Sequence, residues 1–278
     1  MNRLDRFLTI PLLFFSLIVA GVLMALVTQV SLGDLIGSIL HPETLFALRF
    51  SLFTSLCSMA AAVLVGVPAA YFMARRSFSG KGILETLLDI PLVMPPLIAG
   101  VGLLFLFGRN LLGKPLADLG IHLVLSPWGA VVAQTFVATP IVLRSSQAAF
   151  ASVDRGYEET ALTLGLSPLQ VLCRVNAPLA ARSILSGVIL AWARAMGEFG
   201  ATLMVAGATR FRTETLPIAV YLNISSGELG IAVSCALVLL GAAFILLFAT
   251  RVMGKGGSSA QMIKDVESVR TQIDRSRE

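Results

Sequence analysis

Charged side chains are scarce in this sequence. Asp, Glu, Lys and Arg make up 13% of its 278 residues, where a soluble domain carries about 25%. With 56% hydrophobic residues and a mean hydropathy of +0.86, that deficit excludes an ordinary water-soluble fold and indicates a membrane protein. Cysteine is sparse as well. Cys57, Cys173 and Cys235 are an odd number without metal-type spacing, which excludes a disulfide framework and predicts buried thiols. The only histidines are His41 and His122, and no H-E-x-x-H occurs. Gly80-Lys81 lacks both the upstream glycine and the following Ser or Thr of a phosphate loop, so the chain is not expected to hydrolyse a nucleotide or to carry a cofactor or metal. Neither an internal repeat nor a low-complexity tract is present. The net charge of +5 does not imply a nucleic-acid partner, because most of the positive residues fall in alternate loops, as membrane topology requires.

What is abundant is apolar sequence in long runs. About 20 apolar residues in a helix cross the hydrocarbon layer, and six segments approach that length: 8–30, 47–74, 86–107, 128–143, 184–206 and 229–250. The first exceeds a signal-peptide core and has no A-x-A-like site after it, so it is expected to be a retained anchor. The third holds Asp89, Pro91, Pro95 and Pro96. Its freed carbonyls need partners, so the run IPLVMPPLIAG is expected to be kinked and to face protein. The fourth is the shortest, with Trp128 at an interface position. The expected fold is all-α and polytopic, with six transmembrane helices. Its three regions are 1–43 (first helix and outer loop), 44–250 (core) and a solvated tail at 251–278.

Lys and Arg set the orientation. Fifteen lie on one side: Arg3, Arg6, Arg75, Arg76, Lys81, Arg144, Arg155, Arg174, Arg182, Arg251, Lys255, Lys264, Arg270, Arg275 and Arg277; Arg109, Lys114, Arg210 and Arg212 lie on the other. This asymmetry predicts both termini, and the loop 154–183, in the cytoplasm.

That loop, DRGYEETALTLGLSPLQVLCRVNAPLAARS, reads as two short helices around a corner. Tyr157, Ala161 and Leu164 share one helical face. Gly165 suits the left-handed position after a helix, and Ser167-Pro168 supplies an N-cap hydroxyl followed by proline at the first helical position. The second helix, with Leu169, Leu172 and Val175 on one face, is expected to stop by about Pro178.

The run from Glu159 to Pro178 resembles the "EAA" loop of permease subunits of ATP-binding-cassette (ABC) importers: Glu159, Ala161, Gly165 and Pro178 match, and Val175 replaces Ile. Thr160 and Ala177 depart from the pattern. The segments ARAMGEFGATLMVAG, RTETLPIAVY and DIPLVMPPLIAG are similar to those of molybdate-transport permeases, and more loosely to sulfate and tungstate permeases. The likeness covers about residues 45–250. It implies a type I importer permease of a prokaryotic inner membrane, with Glu159, Ala161, Gly165, Val175 and Pro178 docking an ATPase subunit. It also implies two ATPase copies, a second permease subunit of the same kind and an extracytoplasmic binding protein that delivers the anion.

At membrane depth, Arg194 and Glu198 stand four residues apart on one helical face and can neutralise each other. Such groups face the bundle interior or an aqueous path, because hydrocarbon exposure costs roughly 2.5–3.5 kcal/mol each. Two readings stay open: a structural ion pair, or a path or gate formed by Pro95, Pro96, Arg194, Gly197, Glu198, Gly200 and Thr202. A hydrated oxyanion needs a wet cavity that opens to one side at a time, with backbone amides and hydroxyls along it rather than an unpaired Arg that would trap the ion. Two rivals are an ion-coupled transporter acting alone and an intramembrane enzyme. The enzyme would have to use Asp89 and Glu198, which lie in different segments.

Overall fold

In the computed structural model, residues 3–29, 31–108 and 111–251 are described; Arg109 and the tail 252–278 lie outside the described residues. Among the described residues every regular element is helical. In chain order these are α1 (Arg3–Val27), α2 (Leu32–Ile39), α3 (Pro42–Arg75), α4 (Lys81–Val93), α5 (Pro96–Phe107), α6 (Gly113–Asp118), α7 (Pro127–Ala151), α8 (Arg155–Thr163) and α9 (Pro168–Val171). A π-turn at Leu172–Asn176 follows, then α10 (Ala177–Met196), α11 (Gly200–Ala206), α12 (Leu216–Ser226) and α13 (Leu229–Arg251).

The chain forms two compact units, one gathering the residues up to Ser51 with Ala208–Gly241, the other Leu52–Gly207 with the chain from Ala242. In the first unit, Ala47, Leu216, Ala219 and Cys235 make a small buried core. From Thr9 onward no residue in the apolar window of α1 is buried among the described residues. In the second unit the core is built from small side chains: Ala62, Ala138, Ala191 and Ala195 are fully buried beside Met59 and Val142. Small residues let membrane helices approach closely enough for backbone packing to replace the absent hydrophobic drive. Gly187 on α10 shows the consequence, since a Cβ there would fall 2.0 Å from Ser145 Oγ on α7. The buried indole N–H of Trp192 is not orphaned; it donates to Ser55 Oγ at 2.9 Å.

Among the described residues, four helices have the length and apolarity to cross a membrane: Thr9–Val27, Pro42–Arg75, Pro168–Met196 and Leu229–Arg251; the bent pair α4–α5 makes a fifth if it is one span. The expected fourth segment is α7. At 25 residues it is long enough, but Gln134, Thr135, Thr139, Arg144, Ser145, Ser146 and Gln147 lower its apolarity. Arg144, counted above with the residues of the positively charged side, lies inside it.

The expected fifth segment, 184–206, is not one span. Its helix begins at Pro168 and breaks after Met196, and α11 starts anew at Gly200. Pro178 does not stop the preceding helix either. The π-turn joins α9 to α10, and its wider loop moves the carbonyl that a proline in an α-helix would both strip of its donor and strike with its ring. The kink expected in the proline-rich run is present, a bend of 113° between α4 and α5. Its contact with protein is narrower than expected. Nothing in α4 is buried within this chain, and α5 buries only Ala99, Gly100 and Leu103. Of the thiols expected to be buried, Cys235 is, Cys57 is half-buried and Cys173 is exposed.

Candidate functional site

The helical hairpin at 154–183 takes its shape from local chemistry. Asp154 caps α8 by accepting the Gly156 N–H at 2.8 Å. The helix ends where Leu166 N–H reaches Ala161 O at 3.1 Å and Gly165 N–H reaches Leu162 O at 3.0 Å. This is the paired closure that requires a left-handed residue between them, and Gly165 supplies it with φ +85°. Ser167 and Gln170 then form a reciprocal capping box, with Pro168 at the start of α9.

The hairpin is fastened to the rest of its unit by a polar joint. Arg75, at the end of α3, places Nε 3.1 Å from Glu158 Oε2, with 7% and 23% of the two side chains exposed; this contact is too bent to count as a hydrogen bond. The Arg75 guanidinium also donates to Val153 O at 3.0 Å and to Asn176 Oδ1 at 3.3 Å. Asn176, in the π-turn, donates to Tyr71 Oη at 3.2 Å and Glu158 Oε2 at 3.5 Å. Tyr71 completes the ring through a hydroxyl bond to Glu158 Oε1 at 3.3 Å. Its own ring packs edge-on to Phe150 at 5.2 Å.

Of the residues singled out from sequence, Ala161 is buried in this joint's neighbourhood, Val175 is half-buried, and Glu159, Gly165 and Pro178 are exposed. Glu159 makes no hydrogen bond or ion pair among the described residues; its neighbour Glu158 does. The face grouping expected from sequence does not hold: Glu158, expected to point away from Ala161, turns inward with it. The face shared by Tyr157 and Leu164 is not covered by this chain, and Leu162 and Leu169 are exposed beside it.

The second group of singled-out residues lies at two helix breaks. Pro95 and Pro96 form the break between α4 and α5, and Gly197, Glu198 and Phe199 the one between α10 and α11. The breaks meet: a Cβ at Gly200 would lie 2.9 Å from Pro96 Cβ, and one at Gly100 would lie 2.8 Å from Ala201 Cα. Only glycine permits this approach. Glu198 Oε2 accepts from Arg194 Nη1 at 2.7 Å, and Oε1 accepts the Ala201 N–H at 3.0 Å, one of the early amides of α11 that has no helical acceptor. Glu198 is 1% exposed and Arg194 42%. Thr202 is fully buried, and its hydroxyl has no partner, nor has the side-chain amide of fully buried Gln134. Sequence reasoning missed Gln134, which a polar residue in the buried stripe of α7 could have signalled.

The two carboxylates an intramembrane enzyme would need do not converge. Asp89 belongs to another ion pair, with Arg144 Nε at 2.6 Å from Oδ1 and Nη2 on Oδ2. The same Arg donates to the Glu85 carbonyl at 3.1 Å, which ties α4 to α7.

Residues 66–256 match the family described as the inner membrane component of binding-protein-dependent transport systems. The chain belongs to that family. As a permease of an ABC importer, it is similar to the molybdenum transport system permease protein ModB of Mycobacterium tuberculosis, at 37% identity over 87% of this chain and 93% of that one. A probable molybdenum ABC transporter permease of Haloferax volcanii is also 37% identical, over 86% of this chain and 89% of that one. The sulfate permease CysT of Escherichia coli is 30% identical over 87% and 89%. Among solved structures, a bacterial alginate ABC transporter in complex with its periplasmic protein aligns with TM-score 0.71 over 90% of this chain and 93% of that one, at 14% identity. The MetNI methionine transporter aligns with TM-score 0.57 over 75% and 94%, at 16% identity. The shared fold at such low identity is that of the type I importer permease, an all-α membrane protein. Family members of this kind work with ATPase subunits and binding proteins, and the permease is the inner-membrane component rather than an enzyme.

Proposed function

We propose that this permease carries molybdate, delivered by an extracytoplasmic binding protein and driven by two ATPase subunits that dock on 154–183. The observation that carries the substrate is the 37% identity to permeases named for molybdenum, across nearly their whole length. The 30% identity to CysT supports the second reading, a sulfate, thiosulfate or tungstate permease. Arg144 and Arg194, each paired with a carboxylate, agree with either anion, since an unpaired guanidinium in the path would hold the ion rather than pass it.

In this reading the exposed apolar face of Tyr157, Leu164 and Leu169, with the free carboxylate of Glu159, meets a groove on the ATPase in the cytoplasm. Closure of the ATPases pushes α8. The break formed by Pro95, Pro96, Gly197 and Gly200 opens the path, with the Thr202 hydroxyl beside it and Arg194–Glu198 at its margin. A second copy of the chain encloses the path from the other side, and both termini lie in the cytoplasm.

Reconstitution with the cognate ATPase and binding protein tests the substrate. Labelled molybdate uptake should be competed by molybdate at lower concentration than by tungstate, sulfate or thiosulfate; stronger competition by sulfate would move the assignment to the second reading. Uptake by this chain without any ATPase would instead establish an ion-coupled transporter. The orientation has its own test, because an impermeant label applied outside intact cells should not reach cysteines placed at Glu159 or Gly165.

A further inference from the structure

The first unit holds two buried carboxyls that the transport reading does not use. Glu43, in the first turn of α3, is 2% exposed, and Glu214, in the segment before α12, is 0% exposed. Asn223 Nδ2 donates to Glu43 Oε1 at 2.7 Å, and Arg210 Nη1 lies 3.3 Å from Glu43 Oε2. Glu214 Oε2 accepts the Phe211 N–H at 3.0 Å. Glu214 Oε1 is fully buried and no donor among the described residues reaches it, and the Glu43 carboxyl lies within side-chain hydrogen-bond reach of Glu214.

Two carboxylates cannot hydrogen-bond to each other, since both only accept. With both ionised, the site would also bury two negative charges against the single guanidinium of Arg210, an arrangement whose desolvation cost nothing offsets. We propose that Glu43 and Glu214 hold one proton between them, and that this proton clasps residues 208–215 to the start of α3. The proton sits on Glu214 and is donated to the Glu43 carboxyl opposite Arg210. Burial and the hydrogen bond to Glu43 push the Glu214 carboxyl up to about 7, so the site is occupied at mildly acidic pH and empties as the medium turns alkaline.

The charged and titratable groups facing Glu214 are few. They are Glu43 from α3, Arg210 from its own segment and Cys235 from α13, whose thiol lies 3.7 Å from Thr44 Oγ1; α12 contributes the uncharged Asn223. Beside Glu43, exposed His41 accepts the Glu43 N–H on Nδ1 at 3.4 Å. Arg49, Arg212, Tyr221 and Glu228 on the same elements are exposed. The folded-state value stands above the ordinary carboxyl value of 4.5. The stabilisation is therefore whole at low pH and disappears as pH rises through about 7, with at most a tenfold change in the unfolding constant per pH unit between those limits.

The test uses the full chain assembled with its ATPase subunits in lipid nanodiscs. The thermal stability of the wild type should fall from pH 5 to pH 7 and then level. In Glu214→Gln, whose amide donates to Glu43 without titrating, that slope should disappear. Infrared difference spectra provide a reading that does not depend on the variant's folding. The carbonyl band of a protonated carboxyl should be present in the wild type at pH 5 and lost by pH 8, and it should be missing from Glu214→Gln at both. Equal pH slopes in the two proteins, or a wild-type band that does not change with pH, would overturn the proposal.

Discussion

Two Arg–Glu pairs in the same unit differ in which partner is buried. In Arg75–Glu158 the guanidinium is nearly covered, with 7% of its side chain exposed. It is surrounded by acceptors from three parts of the chain: Glu158 on α8, the Val153 carbonyl and Asn176 in the π-turn. In Arg194–Glu198 the carboxylate is covered, the Arg is 42% exposed, and the second bond is to a backbone amide three residues away. The first pair joins elements 83 positions apart and must hold for the hairpin to stay seated. The second is made within one helix end and shapes a break. Charge pairing is thus a tertiary joint at one site and a local cap at the other, and the two should respond differently to loss of a partner.

The largest effect is expected from Arg75→Ala. It strands Glu158, Asn176 and the Val153 carbonyl together, and losing one partner of a buried pair costs about 3 kcal/mol. Copurification of the ATPase and uptake should both collapse, with a lower unfolding temperature; Arg75→Lys should restore part of the docking, since one ammonium replaces only one of the contacts. Intact docking in Arg75→Ala would make this pair no more important than a surface one.

Next is Gly100→Val. Its Cβ would stand 2.7 Å from Met204 Cβ and 2.8 Å from Ala201 Cα, and overpacking of this kind costs about 1–3 kcal/mol. Because the clash lies at the helix breaks and not at the hairpin, uptake should fall while ATPase binding persists. Loss of both together would mean that the two regions do not act separately.

A smaller effect is expected at Gly165→Ala. Nothing lies within 4 Å of the added Cβ, so the cost is the left-handed backbone alone, about 1 kcal/mol. ATPase affinity should drop several-fold without loss of membrane insertion, whereas Gly165→Pro, which cannot adopt φ +85° at all, should abolish docking. Equal affinities for wild type and both variants would remove the corner from the docking surface.

These contrasts also mark what the sequence could disclose. The corner at Gly165, the Ser167-Pro168 start and the bend at Pro95-Pro96 were legible because each is decided within a few residues by backbone chemistry. The joint of Tyr71, Arg75, Glu158 and Asn176 was not, because nothing local says that a basic residue ending one helix will face an acidic one 83 positions later. Arg75 read equally well as a topology signal, and Glu159, the matched motif residue, concealed its neighbour. Pro178 misled for a different reason. A proline ends an α-helix only if the preceding turns stay α-helical, and the π-turn at Leu172–Asn176 removes that condition. The single span read over 184–206 failed because apolarity sums over a window, while at the break at 197–199 one carboxylate captures an early amide of α11, that of Ala201.

The smallest effect is expected from Glu198→Gln, and it separates the two readings of that pair. The amide oxygen can still accept the Ala201 N–H, so the start of α11 keeps its cap. What is lost is the ionic part of a contact to a half-exposed Arg, worth under about 1 kcal/mol after solvent screening. If the pair is only structural, uptake should stay within twofold of wild type, and Arg194→Gln should behave the same way. If it sits at the margin of the path, Glu198→Gln leaves Arg194 with an unneutralised charge that holds the anion; uptake then falls several-fold at unchanged stability and ATPase docking, and the double variant Arg194→Gln with Glu198→Gln recovers it. That recovery is the deciding measurement, because a purely structural pair has no reason to work better with both charges gone than with one.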